Sequence, residues 1–448
     1  MHTSDQLLAE MNRLHPKSID LSLSRINRLL AKLGSPHRRV PALVHVAGTN
    51  GKGSVTAFLK AILEAAGKRV HVYTSPHLVR FHERIELAAG QGGAKPITER
   101  QLRDVLGRVL ATNAGDCITQ FEITTAAAFL AFSEHAADFS LVEVGLGGRL
   151  DATNVVKRPE LTIITSIGID HADFLGGTIE EIAYEKAGII KPSVRCILGG
   201  VDPVAKDVVH RTASKVGAEV IAWGDNYYAC ERRERFSLWL GDRLLDLPKP
   251  HLLGRHQIRN AATAIRAAQE LLGAELNQGV IERGLASVRW PARMQRLETG
   301  SVAPGLCSQT ELWLDGGHNV AAGEVIAATM ASMPESSTMP LFLIVGMFAN
   351  KDAAGFLKPL RGMAEYMIAV PIQSTPYLAH APQNLVRAAE ANGLPAECAP
   401  SWKQAVHRLQ VKVPGRKRIL ICGSLQLAGD VLKASGGMPQ IVERRAAC

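Results

Sequence analysis

Short runs of β-branched and other apolar residues alternate along this chain with stretches whose apolar residues recur at helical spacing. That is the pattern of β-α-β units wound about a mainly parallel sheet. Residues 42–47 (ALVHVA), 69–74 (RVHVYT), 139–144 (FSLVEV), 161–166 (LTIITS) and 194–199 (VRCILG) predict buried strands. Between the first two, Val55, Phe58, Leu59, Ile62, Leu63 and Ala66 keep helical spacing, and Gly67 is placed to close the helix. Thr98 with Gln101 and Thr178 with Glu181 have capping-box spacing and predict helices over 99–111 and 179–187. An alanine-rich helix is expected over 256–272, and a small β excursion over 225–250, where Tyr227, Phe236 and Trp239 fall. After Trp290-Pro291 new strands are expected at 311–315, 341–346, 366–370 and 417–422. The boundary is placed near 293–300, giving domains 1–295 and 296–448.

The chain has 448 residues, 46% hydrophobic and 21% charged, which fits an ordinary folded protein and excludes a disordered, collagenous or coiled-coil chain. No apolar run approaches the roughly 18 residues that span a bilayer, and the polar start lacks the features of a secretory signal, so a cytoplasmic protein without a membrane partner is expected. Cys117, Cys196, Cys230, Cys307, Cys398, Cys422 and Cys448 are scattered, with no C-x-x-C pair, which suggests reduced thiols. The net charge of +9 favours anionic partners. Basic residues are spread thinly and aromatics make up only 5%, so small polyanions fit better than nucleic acid.

The sharpest chemical signal is Gly48-Thr49-Asn50-Gly51-Lys52-Gly53-Ser54, set between a predicted strand and a predicted helix. Glycines there let backbone N–H groups turn toward a polyphosphate and the helix N-terminus adds partial positive charge. Lys52 can reach the outer phosphates, and Ser54 can ligate Mg²⁺. The loop departs from the usual spacing: Val46 stands where the first glycine would be, and Gly53 separates Lys52 from Ser54. Glu143 ends an apolar strand and opens into Gly145-Leu146-Gly147-Gly148, a place for a metal-binding carboxylate; the structural alternative is a buried pair with Arg149. His171 follows another strand, as a metal ligand or as a structural histidine. Lys186, in the last turn of its helix, reads from position alone as a cation complementing the helix dipole.

Taken together, HVAGTNGKGS (45–54), TSPHL (74–78), FEITTAAAF (121–129), VEVGLGGRLDATN (142–154), TSIGIDH (165–171), EKAGIIK (185–191), HQIRNAATA (256–264), WPARMQ (290–295), LDGGHN (314–319) and GSLQLAG (423–429) resemble the ordered motifs of the folylpolyglutamate synthase and dihydrofolate synthase family, within the Mur ligase superfamily. The resemblance spans both expected domains. Two positions depart from it: Gln426 stands where a tyrosine is expected, and Gly317 where alanine is commoner.

The resemblance implies an α/β fold: a P-loop ATPase domain with a mainly parallel sheet, plus a smaller Rossmann-like C-terminal α/β domain. It implies an ATP-dependent ligase that joins L-glutamate to dihydropteroate and to the γ-carboxylate of folates through an acyl phosphate. Gly51, Lys52, Gly53 and Ser54 would hold the ATP phosphates, and Asn260 the base. Arg293 and Asp315 would complete the ATP site, with His318 nearby and grouped with Lys52 and Lys186 as catalytic. Ser75, Glu143 and His171 match ligands for Mg²⁺, with two ions expected. Lys186 matches a lysine carried as N6-carboxylysine, which replaces the helix-dipole reading. Thr119, Gln120, Phe121 and Glu122, together with Leu150, Asp151 and Ala152, match the pterin pocket, and Lys17, Ser18, Ile19 and Asp20 match a further pterin loop. The form LDATN favours a bifunctional enzyme, and a monomer is expected. Two alternatives remain at this level. One is a cell-wall Mur ligase, for which the 47 residues ahead of Gly48 are too few to hold a UDP-substrate domain. The other is a nucleic-acid-stimulated P-loop ATPase.

Overall fold

The computed structural model describes residues 3–15, 19–90, 93–298, 309–373 and 378–435. They fall into two compact units, Met1–His251 with His256–Arg289, and Leu252–Arg255 with Trp290–Cys448. Arg293 therefore lies in the second unit, and Lys17 and Ser18 lie outside the described residues.

The first unit opens with α1 (Ser4–Met11), α2 (Ser24–Lys32), β1 (Ala42–Ala47), α3 (Lys52–Ala65) and β2 (Val70–Tyr73). It continues with β3 (Ile85–Leu87), β4 (Lys95–Pro96), α4 (Glu99–Asn113), α5 (Gln120–Glu134), β5 (Phe139–Glu143), β6 (Leu161–Ile164), α6 (Ala172–Leu175) and α7 (Ile179–Ala187). After β7 (Cys196–Leu198), α8 (Pro203–Val216) and β8 (Val220–Ala222), the chain makes an antiparallel sheet of β9 (Tyr227–Glu231), β10 (Arg235–Leu240) and β11 (Arg243–Pro248). This is the excursion expected from the aromatic residues there. The unit ends with α9 (Arg255–Leu272) and α10 (Gln278–Ser287).

Among the described residues, the main sheet runs in the order β4-β3-β2-β5-β1-β6-β7-β8. It is parallel from β2 to β8, and β3 and β4 add an antiparallel edge. β1 lies between β5 and β6 and is buried without alternation from Leu43 to Ala47, as a strand covered on both faces must be. One apolar cluster joins residues of α1, α2, α4 and α5 to Leu43, Tyr73 and Val142. Another joins Ala47, Val144 and Ile164 to residues of α7 and α8. Both expected capping boxes form: Thr98 with Gln101 starts α4, and Thr178 with Glu181 starts α7. Some strands stop short of their apolar runs. β6 ends at Ile164, and the hydroxyls of Thr165 and Ser166 just after it bond the loop that follows β1.

The second unit contains β12 (Gln295–Leu297), β13 (Thr310–Leu314), α11 (Val320–Ser332), β14 (Leu341–Val345), α12 (Ala353–Leu357) and β15 (Ala364–Ala369). These are followed by α13 (Pro382–Ala391), β16 (Ala396–Cys398), α14 (Trp402–Lys412), β17 (Lys417–Cys422) and α15 (Leu425–Ala434). Its sheet order is β12-β13-β17-β14-β15-β16, antiparallel only at β12. No helix of the described residues is long and apolar enough to cross a membrane.

α3 is buried on most of its surface, and α10 packs against it through Gly284. A Cβ there would lie 2.7 Å from Ile62 Cγ1 and 2.8 Å from Ile62 Cα. Gly284→Val is therefore expected to destabilise the protein by about 1–3 kcal/mol through overpacking. A urea midpoint equal to that of wild type would show that α10 is not seated this closely.

Candidate functional site

β1 delivers Gly48 to the carboxyl edge of the sheet, where ligands collect in doubly wound folds. The loop that follows is tied to the segment after β6 by a dense set of hydrogen bonds. Thr49 N–H donates to the Ser166 carbonyl (2.7 Å). The hydroxyls of Thr165 (2.7 Å) and Ser166 (2.9 Å) donate to the Asn50 carbonyl. Asn50 N–H returns a bond to Ser166 Oγ (3.0 Å), and Thr49 Oγ1 bridges the N–H and carbonyl of Gly168. Gly48 is buried at φ +152, and a Cβ on it would collide with Thr165 Oγ1, so only glycine fits. Gly51 caps α3 at φ +85, with a hypothetical Cβ 2.8 Å from Asn260 Oδ1.

Two of the loop's side chains also have local partners. Lys52 Nζ donates to the carbonyls of Gly48 (2.9 Å) and Thr49 (3.2 Å), which keeps its charge over the loop. On α9, Asn260 Nδ2 donates to Gln257 Oε1 (3.0 Å), and Gln257 Nε2 donates to Ser54 Oγ (3.4 Å). The structure thus places Asn260 beside Gly51. Thr165, Ser166 and Gln257 were not singled out from the sequence. Their small polar side chains follow strand or helix patterns, and their partners lie more than 100 residues away.

Glu143 ends β5, next to β1 in the sheet, and is 5% exposed. Arg149, the alternative partner considered for it, pairs with Glu185 (Nη2–Oε1 2.8 Å). Ser75 follows β2 and is half-buried. His171 stands ahead of α6 in the left-handed region at φ +52, a conformation that costs energy and concentrates at functional sites. Its Nε2 lies 4.0 Å from Asp170 Oδ1. Oxygen donors from Ser75 and Glu143 suit Mg²⁺, and the imidazole of His171 also suits Mn²⁺. Among the described residues no three His, Cys, Asp or Glu side chains could hold a metal by themselves, so other oxygens must complete any such site.

Lys186 is 3% exposed, so it is not the solvated cation of a helix end. Burial pushes its ammonium down to about 7, and the charge of Lys52 adds to the shift, while Asp170, Asp151 and Glu185 oppose it. A lysine near 7 has a large neutral, nucleophilic fraction at ordinary pH.

The residues matched to a pterin pocket surround the start of α5 and the loop after β5. Thr119 caps α5, with Glu122 reciprocating. Gln120 Nε2 donates to the Leu8 carbonyl (3.2 Å) and fastens α1 to this helix. Phe121 stacks with Tyr73 at 6.3 Å, and its ring lies so close over Gly145 that a side chain there would collide with it. Asp151 is 2% exposed and folds its own loop: its carboxylate accepts from Leu146 N–H (2.8 Å), Thr153 N–H (3.0 Å) and Thr153 Oγ1 (2.5 Å). Its side chain thus frames the loop that carries Leu150 and Ala152. Burial raises its carboxyl, with these hydrogen bonds opposing the rise. Ile19 and Asp20 lie ahead of α2, and Asp20 meets Arg25.

In the second unit, Arg293 sits between Ala292 (φ +54) and Met294 (φ +43), two left-handed residues that cost energy and need outside support. Asp315 holds this turn: Oδ2 accepts from Met294 N–H (2.8 Å), and Oδ1 accepts from Gly317 N–H (2.7 Å). Gln295 Oε1 accepts from Ala292 N–H (2.9 Å). His318 Nδ1 lies 3.0 Å from the Gly316 carbonyl, which selects the tautomer with the proton on Nδ1.

Comparison with known proteins places this geometry in context. The Mur ligase middle domain matches residues 46–268, and the Mur ligase glutamate ligase domain matches residues 293–425. The dihydrofolate synthase/folylpolyglutamate synthase of Bacillus subtilis is 33% identical over 92% of this chain and 94% of its own length. That of Escherichia coli is 33% identical over 95% of this chain and 94% of its own. A solved structure of E. coli FolC in complex with DHPP and ADP superposes with a TM-score of 0.85 at 30% identity, covering 96% of this chain and 97% of that one. A bifunctional folylpolyglutamate synthase/dihydrofolate synthase with Mn, AMPPNP and L-glutamate bound gives a TM-score of 0.82 at 29% identity, over 97% and 98%.

The depressed Lys186 has a measurable consequence. Between about pH 7 and the ordinary lysine value of 10.5, the unfolded chain binds a proton that the folded chain does not. The resulting penalty is fully present below pH 7 and is shed as pH rises toward 10.5. In bicarbonate-free buffer, Lys186→Met is expected to be more stable than wild type at a pH of about 6, and to lose that advantage by about pH 10. A stability difference that does not change with pH would contradict the buried, neutral amine.

Proposed function

This chain belongs to the dihydrofolate synthase/folylpolyglutamate synthase family of Mur ligases, and we propose that it makes an amide between L-glutamate and either dihydropteroate or the γ-carboxylate of a folate, at the expense of ATP. The observation that supports this most is the phosphate loop at Gly48–Ser54, braced by the segment after β6, with the neutral Lys186 close enough to feel the charge of Lys52.

The reaction divides into two displacements. A carboxylate oxygen of the pterin-bearing acid attacks the γ-phosphorus of ATP, the bond to the bridging oxygen breaks, and ADP leaves. The amine of L-glutamate then attacks the acyl carbon, phosphate departs, and the amine loses a proton as the amide forms. Phosphoryl transfer depends on positioning and on donors aimed at the phosphate oxygens. In this chain those donors are the N–H groups of residues 51–54 and the ammonium of Lys52. Ser75, Glu143 and His171 would hold Mg²⁺, which would supply charge neutralisation for the phosphate oxygens. Arg293, Asp315 and His318 are assigned to nucleotide binding and glutamate transfer by their match to the family's motifs. Phe121 supplies an aromatic face for the pterin ring, and Thr119, Glu122, Leu150, Asp151 and Ala152 line its pocket.

Lys186 is carried as N6-carboxylysine. Its neutral amine attacks the carbon of CO₂, a C–N bond forms, one C–O π bond becomes a carboxylate, and the proton goes to solvent. The product is an anionic oxygen donor where an ammonium would repel Mg²⁺.

Two experiments test this. Phosphate release is expected with dihydropteroate plus L-glutamate and with tetrahydrofolate plus L-glutamate, and to fall sharply when either acid or amine is omitted. Release that ignores the pterin compounds and rises with DNA or RNA would overturn the assignment. Lys186→Ala is expected to lose ligase activity by about two orders of magnitude or more, as removal of a charged group at a phosphoryl-transfer site does. Added short-chain carboxylic acids should partly restore it. Full activity in the variant without such acids would remove Lys186 from the mechanism.

A further inference from the structure

The carboxylate of Glu122 is used unevenly. Its Oε2 accepts three donors: Thr119 N–H (2.9 Å), the Thr119 hydroxyl (2.8 Å) and Arg25 Nε–H (3.0 Å). Its Oε1 is buried with no hydrogen-bond partner, in a side chain only 4% exposed. A buried acceptor left open in this way is costly unless something else donates to it. Helix capping needs only one oxygen, so the capping box does not explain the buried, unbonded position of the other.

Arg25 is the residue that fixes this arrangement. It lies on α2 and is 15% exposed, and its guanidinium fork divides between two segments. Nε faces Glu122, while Nη1 donates to Asp20 Oδ2 (2.8 Å) and Nη2 to the Asp20 carbonyl (2.6 Å). Asp20 Oδ2 also receives His15 Nε2 at 3.3 Å. One planar cation thus joins the Ile19–Asp20 segment to the first turn of α5. It also bonds Glu122 through Oε2, which leaves Oε1 without a hydrogen-bond partner among the described residues. A lysine could not do this, since a point charge cannot bond two segments through fixed, separate N–H groups.

We infer that Arg25 is a positioning residue for the pterin end of the substrate: it orients Glu122 so that Oε1 accepts an N–H from the amino-pyrimidinone edge, and it anchors the Ile19–Asp20 segment alongside. This rests on the pterin pocket proposed above and goes beyond it, since none of the motifs matched to the family contains Arg25.

The test separates pterin binding from nucleotide binding. In full-length protein, Arg25→Gln is expected to raise KM for dihydropteroate by roughly tenfold or more, the effect of losing charged hydrogen bonds, with KM for ATP unchanged. Arg25→Lys should recover only part of the loss. Guanidinium ion at low, non-denaturing concentration should lower the dihydropteroate KM of Arg25→Ala and leave wild type unaffected. Asp20→Asn, altered at a side chain that is 39% exposed, should shift the same KM in the same direction by less, and should add little once Arg25 is replaced. The second variant carries the test if Arg25→Gln does not fold. An unchanged dihydropteroate KM in these variants, an equal rise in the KM for ATP, or full recovery by lysine would overturn the inference while leaving the ligase assignment intact. Wild-type protein that releases no phosphate with dihydropteroate would instead overturn the function on which it rests.

Discussion

Everything in the first unit's site depends on the hydrogen bonds that tie the Gly48–Ser54 loop to the end of β6. Both segments leave the same edge of the sheet, and each uses the other to satisfy its backbone. The Asn50 carbonyl takes two hydroxyls, the Ser166 carbonyl takes an N–H, and Thr49 Oγ1 closes a ring with Gly168. With those carbonyls occupied and held, the loop that leads into α3 is braced by bonds within the protein, and a loop braced in this way has less ordering entropy to lose on binding a ligand. The absence of a side chain at Gly48 is what allows the two segments to approach this closely.

Charge is arranged around this frame by burial. Lys52 is held over the loop by the backbone carbonyls of Gly48 and Thr49. Lys186, deeper and away from water, is pushed toward neutrality, and part of that push comes from Lys52 itself. Two lysines a short way apart therefore take different roles because of their surroundings. Glu143 at the end of β5 and the hydroxyl of Ser75 after β2 bring oxygen donors to the same edge of the sheet. In the second unit the same economy recurs: Asp315 folds two N–H groups onto one carboxylate and so presents Arg293 between two left-handed residues.

Much of the fold was legible in the sequence because its signals are local. The capping pairs Thr98 with Gln101 and Thr178 with Glu181 form where expected, and the aromatic residues of 225–250 make their own small sheet. The position of the Gly48–Ser54 loop was legible because its glycines, lysine and serine stand between β1 and α3. Other features escaped because their partners are distant along the chain. Ser166 reaches back 116 residues to Asn50, Gln257 reaches 203 residues to Ser54, and Arg25 meets Glu122 at a separation of 97. Lys186 misled for a related reason. Position in the last turn of α7 suggests a solvated cation, whereas packing of α7 against α8 and the sheet buries it. Strand ends shifted where the residues that follow, such as Thr165, turn their side chains to brace a neighbouring loop.

The central claim is that the brace makes the phosphate site. Calorimetric titration of a non-hydrolysable ATP analogue with Mg²⁺ into a Thr165→Val, Ser166→Ala double variant tests it most directly. Both hydroxyls bonded to the Asn50 carbonyl are then gone, and each buried hydrogen bond is worth about 1 kcal/mol. The account predicts affinity weakened by on the order of ten- to a hundredfold, with the thermal transition of the protein still cooperative. Binding as tight as that of wild type would contradict it.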